Sequence, residues 1–197
     1  MVTTFTLVGV QKISMIERVP TFKQWNPIFT VPFFIEEIDL DKIELVSDEY
    51  NESFLSGIKT TMGKDRFIDE SYEYVNKVIY ECIGQFSDQP FRIGQVWRNK
   101  YNKEDWQDPH IHSGAQWSFI IYESVEHSRT VYMNPARKVI MNQWGMYADT
   151  IPMDFIPQVP AGHIVIFPSW IEHFVMNGNE GTTIAGNIYL QEPPAGP

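Results

Sequence analysis

Hydrophobic and polar positions divide this chain near Pro90. Before it, residues 3–13 (TFTLVGVQKIS) and 28–38 (IFTVPFFIEEI) mix β-branched and polar residues and predict two strands, Pro32 marking an edge or bend. Residues 39–57 are acidic with scattered apolar positions and predict a helix. In residues 69–86, Val75, Ile79, Cys82, Ile83 and Phe86 fall on one helical face, the clearest helix signal in the chain. Beyond Pro90 come short apolar or alternating runs at 91–101, 116–125, 129–134, 138–147, 151–156, 163–167, 171–176 and 182–190. Turn clusters such as Asn134-Pro135 and Pro160-Ala161-Gly162 separate them. Eight strands at that spacing predict a β sandwich or barrel, and a jelly roll holds that number. The expectation is a single domain over 1–197. It has strands and helices in 1–90, a jelly-roll core in 91–192 and a loose tail at 193–197.

Composition changes this picture little. A chain of 197 residues buries a sizeable core, and 14% aromatic content favours strands over disorder. The net charge of −10 argues against nucleic-acid binding, because phosphates would repel it. Cys82 is the single cysteine, which excludes an internal disulfide and a thiolate zinc site; its helical phase makes it a small core residue. No apolar run approaches membrane-spanning length, and the first residues lack the basic start of a signal peptide, so the expected location is cytoplasmic.

Candidate chemistry gathers in WRNKYNKEDWQDPHIHSGAQWSFIIY, residues 97–122, and in GHIVIFPSWIEHFV, residues 162–175. His110 and His112 are two apart, so on an extended strand both rings point one way. His173 follows a short apolar strand. Together they form a candidate catalytic and metal-ligating set, although imidazole alone does not choose among Fe, Zn, Cu and Ni. Asp108 is a further candidate, as third ligand in place of His112 or as acceptor for an imidazole N–H. If the strand after the H-x-H keeps its phase past Gly114, then Gln116, Ser118, Ile120 and Tyr122 share the interior with the histidines. His127 and His163 read as surface residues.

The motifs Trp97-Arg98-Asn99, Pro109-His110-Ile111-His112-Ser113-Gly114, Trp117 to Tyr122, Phe167-Pro168-Ser169-Trp170 with His173, and Gly186-Asn187-Ile188 resemble the 2-oxoglutarate- and Fe(II)-dependent oxygenases. Phe29-Thr30-Val31-Pro32 resembles the opening of the branch frequent in bacteriophages, where H-x-H stands in place of H-x-D. The resemblance implies a mainly β, cupin-like double-stranded β-helix with a helical N-terminal third packed on it. It also implies Fe(II) and 2-oxoglutarate as cofactors, and decarboxylation of 2-oxoglutarate to succinate coupled to hydroxylation. For a phage-encoded chain the location would be the host cytoplasm.

The candidate cofactor-binding residues are Gln116, Tyr122, Arg98 and Asn187. The family places an arginine just before the G-N-I segment, where its planar fork clamps the distal carboxylate of 2-oxoglutarate. Here that slot falls at Gly181 or Thr182, and no Lys or Arg follows Lys138. A clamp would have to come from Arg98, Lys100, Arg129, Arg137 or Lys138. Two alternatives stand beside the oxygenase: a catalytically silent jelly-roll binding or structural module, and a cupin-like three-histidine enzyme that does not use 2-oxoglutarate. The substrate is a small molecule or a protein side chain, and a homo-oligomer is left open.

Overall fold

The computed structural model describes residues 30–53, 56–126, 128–147, 151–178 and 180–191. The expected strand at 3–13, His127 and the tail at 193–197 lie outside the described residues. The compact unit that carries the sheets begins at Pro32.

In chain order the elements are β1 (Phe34–Glu37), β2 (Asn51–Glu52), β3 (Lys59–Thr60), α1 (Asp69–Ile83), β4 (Phe91–Tyr101) and β5 (Gln107–His110). There follow β6 (Trp117–Tyr122), β7 (Thr130–Met133), α2 (Arg137–Trp144), β8 (Asp154–Phe155), β9 (His163–Pro168), β10 (His173–Val175) and β11 (Gly181–Leu190). Two antiparallel sheets form. The larger runs β1-β9-β6-β11-β4-β3-β2 and the smaller β5-β10-β7-β8. This is the mainly β double-stranded β-helix that the strand pattern and the resemblance pointed to.

Each central strand of the larger sheet has two apolar faces. On β6, Trp117, Phe119 and Ile121 face α1, joined by Ile164, Ile166, Ile184 and Ile188 from the neighbouring strands. Helix α1 supplies Val75, Val78, Ile79, Cys82 and Ile83 to that layer, the spacing of one helical face. The opposite residues, Ile120 and Tyr122 on β6 with Trp97, Val165, Phe167 and Ala185, turn inward between the sheets. Such double burial is why these strands read as nearly continuous apolar runs. Gly186 on β11 is required by this packing. A Cβ there would lie 2.4 Å from the Phe119 ring and 2.9 Å from the Gln95 carbonyl oxygen.

Several expectations are corrected. Residues 39–57 hold a short 3-10 turn at Leu40–Lys42 and the strand β2 rather than a helix. Among the described residues up to Pro90 there is one α-helix, so that portion is not predominantly helical. Residues 138–147 belong to a helix and a following 3-10 turn, not a strand. The Asn134 side-chain oxygen accepts from the Ala136 N–H at 2.9 Å in the turn before the helix, which itself starts without a side-chain cap. None of the residues of α2 is buried, so no core contact imposed a two-residue alternation. The strand missing there is supplied by β5. Its Pro109 sits on an edge strand, where a missing N–H is tolerated.

Candidate metal centre

The centre is built where β5 meets β10. His173 stands directly opposite His110 in that pair. Cross-strand neighbours present their side chains to each other. His110 closes β5, and His112 lies beyond it in a turn rather than on a strand. That turn is pinned by the His112 N–H donating to the Ser169 carbonyl at 3.1 Å. Gly114 follows at φ +86, a left-handed conformation that favours glycine. The two close imidazoles therefore converge through a strand end and a turn, not through the phase of one extended strand.

Ring centroids lie 4.4 Å apart for His110–His173, 5.1 Å for His112–His173 and 5.3 Å for His110–His112. One ligand nitrogen from each lies within 4.8 Å of the others. Ligands about 2.1 Å from a shared ion stand roughly 3 Å apart at right angles, so modest ring movements complete a coordination face. Trp97 packs on His112 at 5.6 Å, while Tyr132 stacks on His173 at 5.8 Å and Phe167 meets it edge-on at 4.9 Å.

The hydrogen bonds settle which nitrogens are free. His110 Nδ1 meets the Asp108 backbone carbonyl at 2.6 Å, and His173 Nδ1 meets the Ile171 carbonyl at 3.0 Å. His112 Nδ1 meets Asn187 Oδ1 at 2.6 Å, with Ser118 Oγ at 2.9 Å. Carbonyl oxygens only accept, so each imidazole carries its proton on Nδ1 and keeps a lone pair on Nε2. Asn187 is oriented by donating its Nδ2–H to Gln95 Oε1 at 3.1 Å, and Ser118 pairs with Ser169 at 2.7 Å. Burial lowers the His112 pKa to about 4, although the Asn187 bond opposes it. It pushes His173 well below the ordinary value, helped by the neighbouring His110 and His112. Neutral imidazoles are the form that binds a metal, and three of them suit Fe(II) among other borderline ions.

Asp108 contributes its backbone carbonyl to His110, not its carboxylate. Tyr122 is fully buried between the sheets, its hydroxyl meeting Ser128 at 2.8 Å and Thr130 at 3.0 Å. Gln116 is exposed and ties the start of β6 to the end of β11, accepting from the Leu190 N–H at 2.9 Å. Arg98 faces away from the cavity and grips Glu123 through Nε and Nη2 at 2.8 and 2.9 Å, with Asp48 at 3.2 Å. Burial lowers its pKa, but the Glu123 contact prevails and the net shift is upward. Arg137 pairs with Asp154 at 2.9 Å. His163 is half-buried at the start of β9 rather than a surface residue.

Beside the imidazoles lies a narrow cavity of about 20 Å³. Trp97, Ile120, Val175 and Ala185 form its apolar wall, and Asn99, Tyr101, Gln107, Thr130 and Thr183 its polar one. Among the described residues no Lys, Arg, Asp or Glu lines it. Of these polar residues only Asn99 was named in the sequence, within the Trp97-Arg98-Asn99 motif. The alternation of 91–101 held a usable signal, since it puts positions 97, 99 and 101 on one face.

Residues 95–187, just under half the chain, match the family described as "Putative 2OG-Fe(II) oxygenase". The resemblance to 2-oxoglutarate/Fe(II)-dependent oxygenases therefore holds over the β core. No curated protein matches the sequence. Among solved structures, a prolyl-4-hydroxylase from Pseudomonas putida is similar at 14% identity. The match covers 83% of this chain and 95% of that one, with a TM-score of 0.52. HygX from Streptomyces hygroscopicus, solved with nickel, 2-oxoglutarate and hygromycin B bound, is similar at 10% identity. There 82% of this chain and 84% of that one are covered, with a TM-score of 0.50. A 2OG-Fe(II) oxygenase family oxidoreductase from Burkholderia pseudomallei gives 10%, 72% and 71%, with a TM-score of 0.50. At such identities the likeness is one of fold, shared by oxygenases of this family. Among the described residues no helix is long and apolar enough to cross a membrane.

Proposed function

We propose that this chain is an Fe(II)-dependent oxygenase that consumes 2-oxoglutarate, with His110, His112 and His173 as the metal ligands. One observation carries the reading: all three Nδ1 atoms are tied to carbonyl acceptors, which leaves each Nε2 lone pair available on rings whose ligand nitrogens lie within 4.8 Å of one another. Side chains that merely pack do not need one tautomer enforced three times. Iron and 2-oxoglutarate, when bound, supply oxygen activation coupled to decarboxylation, giving succinate and a hydroxylated substrate. The chain's own part is to hold the imidazoles oriented, and to keep an apolar wall of Ile120, Val175 and Ala185 beside them. That wall excludes water, which protects reactive species from side reactions. The substrate is a small molecule or a protein side chain, and the protein works in the cytoplasm.

The test is an anaerobic equilibrium titration with Fe(II), followed by 2-oxoglutarate and then oxygen with succinate assayed. One equivalent of iron, lost in His110→Ala and His173→Ala, and succinate formation support the reading. Absence of saturable iron binding overturns it and leaves a silent β module. The lack of any cation lining the cavity favours a second reading, a three-histidine oxygenase without a 2-oxoacid. Oxygen uptake unchanged by 2-oxoglutarate would single that out.

A further inference from the structure

Resting on the oxygenase reading, in which His112 binds the metal, we infer that Gln95 is a positioning residue. It supplies the acceptor that keeps the Asn187 carbonyl on His112, and so holds that ring in the tautomer able to bind a metal.

The bonds at the three rings are not equivalent. His110 and His173 each present Nδ1 to a backbone carbonyl, those of Asp108 and Ile171. A peptide carbonyl cannot exchange places with a donor, so the chain itself fixes those two tautomers. His112 presents Nδ1 to side chains only, Asn187 Oδ1 at 2.6 Å and Ser118 Oγ at 2.9 Å. The hydroxyl imposes no choice, since it donates or accepts, and it also meets Ser169 Oγ at 2.7 Å. The Asn187 amide does impose one, because its two ends have nearly the same shape and opposite polarity. Turned over, it would donate Nδ2–H to His112 Nδ1. The ring proton would then move to Nε2, the atom needed for the metal.

What keeps the amide the right way round lies on β4. That strand pairs with β11 residue for residue from Tyr101–Gly181 to Val96–Gly186, and again from Ile93–Ile188 to Phe91–Leu190. Asn187 therefore stands opposite both Gly94 and Gln95, a β-bulge. Ile93 and Val96 on either side are buried in the layer that includes α1. The bulged residues turn to the other face, where Trp97 meets His112. Gly94 lets the Tyr189 ring lie against the strand, where a Cβ would strike it. Gln95 Oε1 accepts from Asn187 Nδ2 at 3.1 Å. With that end of the amide engaged, the carbonyl end is the one left for His112. Gln95 itself is exposed, on the wall of an open groove with Arg92 and Tyr189. A choice made at the surface thus sets a proton at the centre.

The experiment replaces Gln95 by side chains that only accept, only donate or do neither, in Gln95→Glu, Gln95→Lys and Gln95→Met. Tautomers are read on metal-free protein by heteronuclear NMR of the ring nitrogens at about pH 8, where imidazoles are neutral. The His112 signals are those lost in His112→Phe. Iron affinity is measured by anaerobic titration. The unmodified protein and Gln95→Glu should carry the His112 proton on Nδ1, with iron bound no more weakly in the variant. Gln95→Met should mix the tautomers and weaken iron binding by about three- to tenfold, one neutral hydrogen bond. Gln95→Lys should move the proton to Nε2 and weaken iron binding by about 10–100-fold. His110 and His173 should keep their protons on Nδ1 in every variant, which shows that the fold is intact. A His112 proton on Nδ1 in Gln95→Lys, or on Nε2 in the unmodified protein, overturns the inference. Equal weakening by all three substitutions overturns it too, since that marks a packing role. The tautomers are read without metal, so they decide the inference even where iron fails to bind, the separate result that sinks the oxygenase reading.

Discussion

At the scale of residues, the site depends on protons as much as on positions. Asn187 accepts from His112 Nδ1, so Asn187→Leu should leave the ring free to turn and lower iron affinity about 10–100-fold, measured by anaerobic titration. Burial also depresses the folded-state pKa values of His112 and His173. Between the folded and unfolded values the unfolded chain binds more protons, so stability is lost as pH falls from about 6.5 towards 4. For His112 alone the shift corresponds to about 3 kcal/mol at full titration. Denaturant titrations of metal-free protein at pH 7 and pH 4.5 should show this loss, reduced in His112→Phe. The three histidines were legible from their spacing, although the reason was not. The strand phase expected to align His110 and His112 is broken by a turn. Asp108 serves through its carbonyl, a role that side-chain chemistry does not reveal. Ser169 was visible only as part of the Phe167–Trp170 motif, because its contact with Ser118 closes only when two distant segments meet.

At the scale of elements, β5 and β10 aim the site while α1 holds the sheet behind it. Ile79 on α1 is fully buried, and Ile79→Ala should cost about 2–5 kcal/mol in urea unfolding, with iron affinity in the folded protein unchanged. Gly186→Ala should cost about 1–3 kcal/mol, because the Phe119 ring it would strike is itself enclosed. Helix α1 and most core strands were legible because burial on a defined face leaves a period in the sequence. Helix α2 was not, since no buried face constrains Val139, Met141 and Trp144, all exposed. Strand β5 was hidden for the opposite reason: QDPH has neither alternation nor β-branched residues, and only its partner β10 makes it a strand.

At the scale of the molecule, two sheets enclose a cavity that opens beside three convergent imidazoles, with a helix sealing the back of the larger sheet. The fold class was legible because strand number and turn spacing survive local errors. The cavity's neutrality was half legible: the empty arginine slot was visible, but the outward turn of Arg98 emerges only from the Glu123 pair. Despite the net charge of −10, no acidic side chain among the described residues lines the cavity. The central claim is that the three Nε2 atoms share one ion. X-ray absorption on the anaerobic Fe(II)-loaded protein tests it most directly. Three imidazole nitrogens at about 2.1 Å are expected, falling to two in His112→Ala. Two or fewer in the unmodified protein, or a carboxylate in place of one ring, would contradict it.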